Sequence, residues 1–362
     1  MHKKTSIYMF IIFLFSLTTF GSTDHLLAQN DSVQEVTLKA ISELGGRYGK
    51  FNYTFDCPWV LEVDEENNLY ILDANENRIM VYTPDGKFLR QIGSVGSGKG
   101  EFYACWDFAL DRKGKIYVAD AGNSRVQILT QEGDYIGEFS VDHEIRVIEV
   151  GPDNNLYINS DPSKSKKLVR VLSPEGKLLS SILDIVPDEE NRQNVILALN
   201  RFRLDFDQEG NILLGRSSLA LFEKYDDEVK RVFQLHMSGS EVDSCRSFLY
   251  RAYQDFFKER KMEGKNELKD FIEDVKIACS DGHSHSGVYT AEIRSRDSTY
   301  YLLIGGVIHV YDQDGSLLRK HRLQDENGQP AYVHRMCFDN QGLIYGLDRY
   351  HTFKCYKFKI PE

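Results

Sequence analysis

The chain has two tryptophans, Trp59 and Trp106. Each stands five residues ahead of an aspartate, Asp64 or Asp111, that opens a short polar turn. The same offset from the related positions Gly151, Asp207, Arg294 and Asp339 reaches Arg146, Phe202, Tyr289 and His334. Flat aromatic faces beside an arginine and a histidine suit stacking and charge-assisted recognition of a sugar or peptide. The alternative is that such repeated large residues fill gaps between structural units. A second row stands two residues ahead of the same positions: Glu62, Ala109, Glu149, Asp205, Glu292 and Cys337. Its carboxylates suit either a divalent cation or structural ion pairs with Arg203 and Arg335, two residues upstream. Cys279, Asp281, His283 and His285 form the most metal-like cluster, since alternate histidines point one way on a strand. No matching pair occurs elsewhere, so a polar surface loop is the simpler reading, and no metal ligand is assigned. The chain has no Gly-x-Ser-x-Gly elbow. The glycine-rich stretch at 93–100 lacks the Lys-Ser/Thr ending of a phosphate loop. Asp120 and Arg125 read as a hydrogen-bonded structural turn. No catalytic residue and no cofactor follow from these patterns.

The elements that position these residues repeat. Val63–Asp73, Leu110–Asp120, Val150–Ile158, Phe206–Leu214 and Phe338–Gly346 share one pattern, with a weaker copy at Ile293–Leu303. Each reads as strand, tight polar turn and strand, because Asp, Asn and Gly supply turn geometry between β-rich runs. A third strand, a turn such as Pro84-Asp85-Gly86, and a fourth strand follow. Four antiparallel strands every 40 to 50 residues is the signature of a propeller blade. The copies number six, so the expected fold is an all-β six-bladed β-propeller. The last copy has three strands, and Val33–Lys39 is expected to supply its fourth by pairing with Phe353–Phe358. Residues 236–287 break the pattern with apolar residues at helical spacing. They predict a two-helix insertion between blades 4 and 5, with helices at 242–261 and 266–279. That insertion would roof one channel mouth, with Tyr253 or His283 as lid residues and Cys245 near enough to Cys279 to bridge.

Asp120-Ala121-Gly122-Asn123-Ser124-Arg125-Val126 resembles the core of an NHL repeat. Gly96-Ser97-Gly98-Lys99-Gly100-Glu101-Phe102 resembles a segment common in exported six-bladed propellers of Bacteroidetes. The resemblance runs from about Val33 to Ile360. It implies a propeller whose relatives are mostly without an assigned activity. Related NHL-type propellers include binding modules and sensor domains. More distant six-bladed relatives include calcium-dependent lactonases and lyases.

Residues 1–28 read as a secretory signal peptide: Lys3 and Lys4, an apolar run from Ile7, and a small residue, Ala28, at the cut. The apolar run is too short for a comfortable membrane span. The remainder, 29–362, is expected to be an exported propeller of the periplasm or cell envelope. The formal net charge of −11 over 362 residues argues against nucleic acid as a partner, because that affinity rests on basic clusters. The expected function is binding of a protein, peptide or glycan at the channel mouth through Trp59, Trp106, Arg146, Phe202, Tyr289 and His334. A metal-dependent hydrolase or lyase with an axial cation is the alternative from a different class, and an enzyme is the less favoured of the two.

Overall fold

The computed structural model describes residues 33–46, 54–187, 201–216, 221–236, 292–304, 306–348 and 352–361. The segments expected to be a signal peptide (1–28) and the helical insertion (236–287, beyond the backbone of His236) lie outside the described residues. So do Tyr253, His283, Tyr289, Cys245 and Cys279, and with them the metal-like cluster and the Cys245–Cys279 bridge.

The chain enters through β1 (Gln34–Gly45). Blade 1 is β2 (Pro58–Val63), β3 (Leu69–Asp73), β4 (Arg78–Tyr82) and β5 (Phe88–Ile92). Blade 2 is β6 (Cys105–Leu110), β7 (Ile116–Asp120), β8 (Arg125–Leu129) and β9 (Tyr135–Ser140). Blade 3 is β10 (Ile148–Val150), β11 (Leu156–Asn159), β12 (Lys167–Leu172) and β13 (Leu178–Asp184). Blade 4 is β14 (Phe202–Phe206), β15 (Ile212–Arg216), β16 (Leu221–Tyr225) and β17 (Arg231–His236). Blade 5 is β18 (Glu292–Arg296), β19 (Thr299–Ile304), β20 (Val307–Tyr311) and β21 (Leu317–Gln324). Blade 6 contributes β22 (Arg335–Phe338), β23 (Ile344–Asp348) and β24 (Lys354–Phe358). Strands pair antiparallel with their sequence neighbours within each blade.

The repeat aspartates are turn formers. Asp64 Oδ1 accepts the amides of Glu66 and Asn68, at 3.0 and 2.7 Å. Asp111, Asp207 and Asp339 repeat this arrangement. The second turn of the blade needs positive φ. Gly86, Gly133, Gly176 and Gly315 supply it at 81°, 99°, 87° and 81°, at no steric cost. Blade 4 has Val229 there, at φ 61°.

The core lies between blades. Val60, Tyr70, Leu72 and Ile79 of blade 1 pack on Phe108, Ile116 and Val118 of blade 2 in one cluster. Each such side chain contributes roughly 1.5–3 kcal/mol when fully buried, and these are at most 2 % exposed.

Closure differs in register from the sequence expectation. Ala40–Gly45, not Val33–Lys39, pairs antiparallel with β24 and completes blade 6. Gln34–Lys39 instead runs parallel to β21, the outer strand of blade 5. An irregularity between Ala40 and Ser42 marks the change of partner. The two blades thereby share one eight-stranded sheet. A 12-residue strand covers two edges where the expected seven-residue segment would have covered one, and uncovered edges invite wrong pairing.

Candidate ligand site at the channel mouth

All six inner strands start at one end of the ring, so the residues that lead into them surround one mouth. Their entry is held by the last residue of the second strand. Asp73 Oδ1 accepts the Cys57 amide at 2.7 Å. Asp120 Oδ1 accepts the Tyr103 amide at 2.7 Å, and Asn159 Oδ1 accepts the Arg146 amide at 2.7 Å. Asp120 is fully buried and also takes Arg125 Nε at 2.8 Å, Gln127 Nε2 at 3.2 Å and Asn123 Nδ2 at 2.9 Å. The Asp120–Arg125 pair is therefore a structural turn, as its residues suggested. The glycine-rich loop ahead of β6 is tied to the same turn. Arg125 Nη2 donates to the Gly98 carbonyl at 2.8 Å, and the Gly100 amide donates to Gln127 Oε1 at 2.9 Å.

Three of the six sequence-derived mouth residues come together. The Trp59 and Trp106 rings meet edge to face at 5.6 Å. The Arg146 guanidinium lies over the Trp106 ring at 5.4 Å. Both tryptophans are half-buried and Arg146 is exposed, with Nη2 3.0 Å from Glu144 Oε2. The result is a ladder across blades 1, 2 and 3, apolar at one end and charged at the other. Trp59 also packs on the core between blades 1 and 2, so it serves partly as the gap-filler considered above.

Phe202 and His334 stand apart from this ladder. Phe202 is buried with Val147 and Leu204 between blades 3 and 4. His334 is 2 % exposed, and its amide donates to Leu347 O at 2.9 Å. Tyr289 lies outside the described residues. One candidate was missed. Tyr103 is 56 % exposed beside the same entry, and its carbonyl accepts the Gly122 amide at 2.9 Å. Its signal was an aromatic three residues ahead of Trp106, in a loop rather than at the repeat offset.

Beneath the mouth, the second row meets at the axis. Glu292 is fully buried and faces three guanidiniums: Arg335 Nη1 at 2.8 Å, Arg294 Nη2 at 3.0 Å and Arg203 Nε at 3.7 Å. Arg294 Nη2 also reaches Glu62 Oε1 at 2.9 Å. Arg335 Nε donates to the Trp59 carbonyl at 3.1 Å. Asp205 accepts the Ser295 amide at 2.9 Å and Asp107 the Ile148 amide at 3.3 Å. These contacts favour the ion-pair reading of the acidic row. Among the described residues, no group of three or more His, Cys, Asp or Glu side chains is arranged to hold a metal ion. Asp107 was not singled out in the sequence, and Arg294 was named there only as a repeat position. Both stand two residues from a member of the row, and side chains two apart share a strand face.

The electrostatics are uneven. Burial pushes the Glu62 carboxyl up to about 7, with Glu292 and Asp107 adding repulsion and Arg294 opposing it. Burial likewise raises Asp107 and Asp205. It would raise Glu292 too, but Arg335, Arg294 and Arg203 outweigh it and hold that carboxyl below its ordinary value. Burial and the neighbouring Arg335 lower Arg203 to about 10.

No curated protein matches the chain in sequence at a significant level. In structure it is similar to a Bacteroides fragilis protein named only as exported, at 12% identity and TM-score 0.54, over 91% of this chain and 100% of that one. It is also similar to virginiamycin B lyase from Staphylococcus aureus, at 10% identity and TM-score 0.52, over 88% of this chain and 99% of that one. At such identities the likeness shows the fold alone. Among the described residues, no helix is long and apolar enough to cross a membrane. The profile of a family described as 6-bladed beta-propeller matches residues 59–345, and the chain belongs to that family.

Proposed function

We propose that this propeller is an exported binding module that takes a peptide or glycan ligand at the channel mouth. The observation that carries this reading is the Trp59–Trp106–Arg146 ladder. Two half-buried indoles present part of their faces at the end where inner strands begin, with a guanidinium over one of them. Such a surface stacks on a sugar ring or an aromatic side chain, and Arg146 adds a charge-assisted donor. Tyr103 extends the surface. The helical insertion at 236–287 and Tyr289 belong to the same proposal as additions to the rim. The signal peptide and a periplasmic or envelope location are part of it as well. A lactonase-like hydrolase or lyase would need carboxylates free for a cation, and Glu292 is taken by three guanidiniums, which leaves that reading second.

The test is binding to arrays of bacterial glycans and random peptides by the wild type, Trp106→Ala and Arg146→Ala. The proposal expects a set of ligands that the wild type retains and both variants lose. Equal binding by all three proteins would overturn it.

A further inference from the structure

We infer that the seam between blades 2 and 3 carries a second binding site, a groove on the outer wall that takes an aliphatic residue of an extended peptide. This site is separate from the channel mouth.

The first support is that the chain itself fills the same place in other seams. The outer strands β1, β5, β9 and β21 each carry one register irregularity, which aligns them. Counted from it, Gly45, Gly93, Ser140 and Arg322 are equivalent. Phe55 covers Gly45 between blades 6 and 1, and Phe102 covers Gly93 between blades 1 and 2. A Cβ on these glycines would lie 2.3 and 2.1 Å from the rings. Both phenylalanines are buried, and each stands four residues ahead of a mouth tryptophan. Four residues ahead of Arg146 stands Asp142 instead. Its side chain is 69% exposed and is held by Arg170 Nη1 at 2.6 Å. The cause is chain length. Gly45 and Gly93 lie 14 and 13 residues ahead of Trp59 and Trp106, whereas Ser140 lies six ahead of Arg146. So short a connection leaves no residue to fold back over β9.

The second support is the groove. A cavity of about 250 Å³ opens here, walled by Phe139, Val141, Ile158 and Leu172, with Arg170 and Asp142 beside them. Ile158 and Leu172 belong to the core between blades 2 and 3, and Phe139 and Val141 are only half-buried against it. An apolar cavity of ~150 Å³ already takes a benzene ring, so one branched side chain fits with room for its backbone.

The third support is the backbone. The Phe102 amide donates to the Ser94 carbonyl at 2.8 Å, and the Gly96 amide donates to the Phe102 carbonyl at 3.0 Å. Phe102 thereby bridges Val95 in parallel. Val141 and His143 are the equivalents of Ser94 and Gly96. The Val141 carbonyl and the His143 amide make no hydrogen bond among the described residues. One acceptor and one donor are thus set for a single residue of an added strand, as when extended peptides join sheet edges.

The fourth observation sets the size of that residue. Between blades 5 and 6 the Ala331 amide donates to the Leu323 carbonyl at 2.9 Å, the equivalent of the Phe102 bond. Arg322 replaces the glycine there, and the buried fillers are Ala331 and Leu38 rather than a ring. Ser140 also carries a Cβ, so the groove between blades 2 and 3 favours an aliphatic side chain over an aromatic one.

The experiment measures fluorescence polarisation of fluorescein-labelled Thr-Thr-X-Thr-Thr amides, with X as Leu, Phe or Asp, against the full-length protein. The Leu peptide should bind at least about tenfold more tightly than the other two, because a ring overpacks the groove and a carboxylate is desolvated in it. Ser140→Gly should bring the Phe peptide level with the Leu peptide. Ser140→Phe fills the groove from its own chain and should lose binding, whereas Trp106→Ala should retain it. No binding of the Leu peptide, equal binding of the Leu and Asp peptides, or unchanged binding in Ser140→Phe would overturn the inference. Loss in Trp106→Ala would move the peptide to the mouth and overturn it as well. Should Ser140→Phe not fold, crosslinking of the wild type with the photo-leucine form of the peptide decides. Label on residues 139–142 or on Leu172 supports the groove, and label elsewhere sinks it.

Discussion

The Trp59 and Trp106 rings stand edge to face, 5.6 Å between centres with planes at 65°. They belong to different blades, so no local propensity brings them together. Each is delivered by its own inner strand, and each strand entry is fixed by a buried aspartate, Asp73 or Asp120. The pair therefore reports the rigid-body packing of blade 1 on blade 2. A site built this way is pre-organised, which reduces the ordering cost of binding.

Arg146 is exposed, and its removal should leave stability within about 0.5 kcal/mol of wild type. Trp106 is half-buried, so Trp106→Ala should cost roughly 1–2 kcal/mol through the lost ring pair and burial. Urea unfolding at neutral pH checks both values. A much larger loss in Arg146→Ala would assign that side chain to the fold rather than to the ligand surface.

Asp120 holds a different balance. Its carboxylate accepts four donors while fully buried, and Arg125 beside it is 11% exposed. Asp120→Ala leaves Arg125 Nε and the Tyr103 amide without their acceptor, while Glu138 and the Gly98 carbonyl still hold the other guanidinium nitrogens. The expected cost is about 3–5 kcal/mol, the usual range for breaking a buried pair. Asp120→Asn should recover part of it, since the amide oxygen still accepts the Tyr103 N–H. Thermal unfolding of both variants is the measurement. Equal melting temperatures for Asp120→Ala and wild type would show that the turn is held by something else.

Two truncations separate the halves of β1. Starting the chain at Ala40 keeps the pairing with β24 and exposes the edge of β21. Starting it after Gly45 exposes both edges and opens the ring. The first deletion should lower stability by a few kcal/mol, whereas the second should also promote association through the open edges. Light scattering and unfolding curves distinguish them. Identical behaviour of the two truncations would contradict the shared-strand closure.

The six inner strands and their turns were legible because their causes are local. Asp64, Asp111, Asp207 and Asp339 bond backbone amides two and four residues ahead, and the turn glycines answer to φ at one position. The acidic row was visible through the same repeat. What decides its chemistry is non-local: Arg294 of blade 5 reaches Glu62 of blade 1, and nothing in either strand specifies that. The register of β1 was missed for a related reason. Gln34–Lys39 and Ala40–Gly45 are both strand-like, and the choice of partner depends on two sheet edges brought together only by the closed ring. Phe202 and His334 share the repeat offset of Trp59, but their seams are packed tightly enough to bury them.

His321 is expected to make the pairing of β1 with β21 acid-sensitive. It is 1% exposed on β21, opposite Val36 of β1, and neither ring nitrogen has a hydrogen-bond partner among the described residues. Burial and the nearby Arg319 lower its pKa from 6.5 to about 4. The folded state thus resists a proton that the unfolded chain accepts, so stability is full above about 6.5 and is lost as pH falls toward 4. The loss approaches about 3 kcal/mol at the lower limit. His321→Phe should flatten that window relative to wild type, as read by urea unfolding at several pH values. Parallel curves for the two proteins would remove His321 as the cause.

Val229 occupies the turn position that glycine fills in blades 1, 2, 3 and 5. Its φ of 61° places a β-branched side chain in the left-handed region, where non-glycine residues pay roughly 1–2 kcal/mol. Its amide donates to the Asp226 carbonyl at 2.9 Å, so the turn is formed despite the strain. The side chain recovers part of the cost by packing against the cluster between blades 3 and 4. Asparagine visits the left-handed region readily, and it retains a Cβ, so it does not add the unfolded-state entropy of glycine. Val229→Asn should therefore stabilise the protein by about 0.5–1 kcal/mol, with Val229→Gly closer to neutral. Differential calorimetry at neutral pH tests the order. A lower melting temperature for Val229→Asn than for wild type would mean that the apolar contact outweighs the backbone strain.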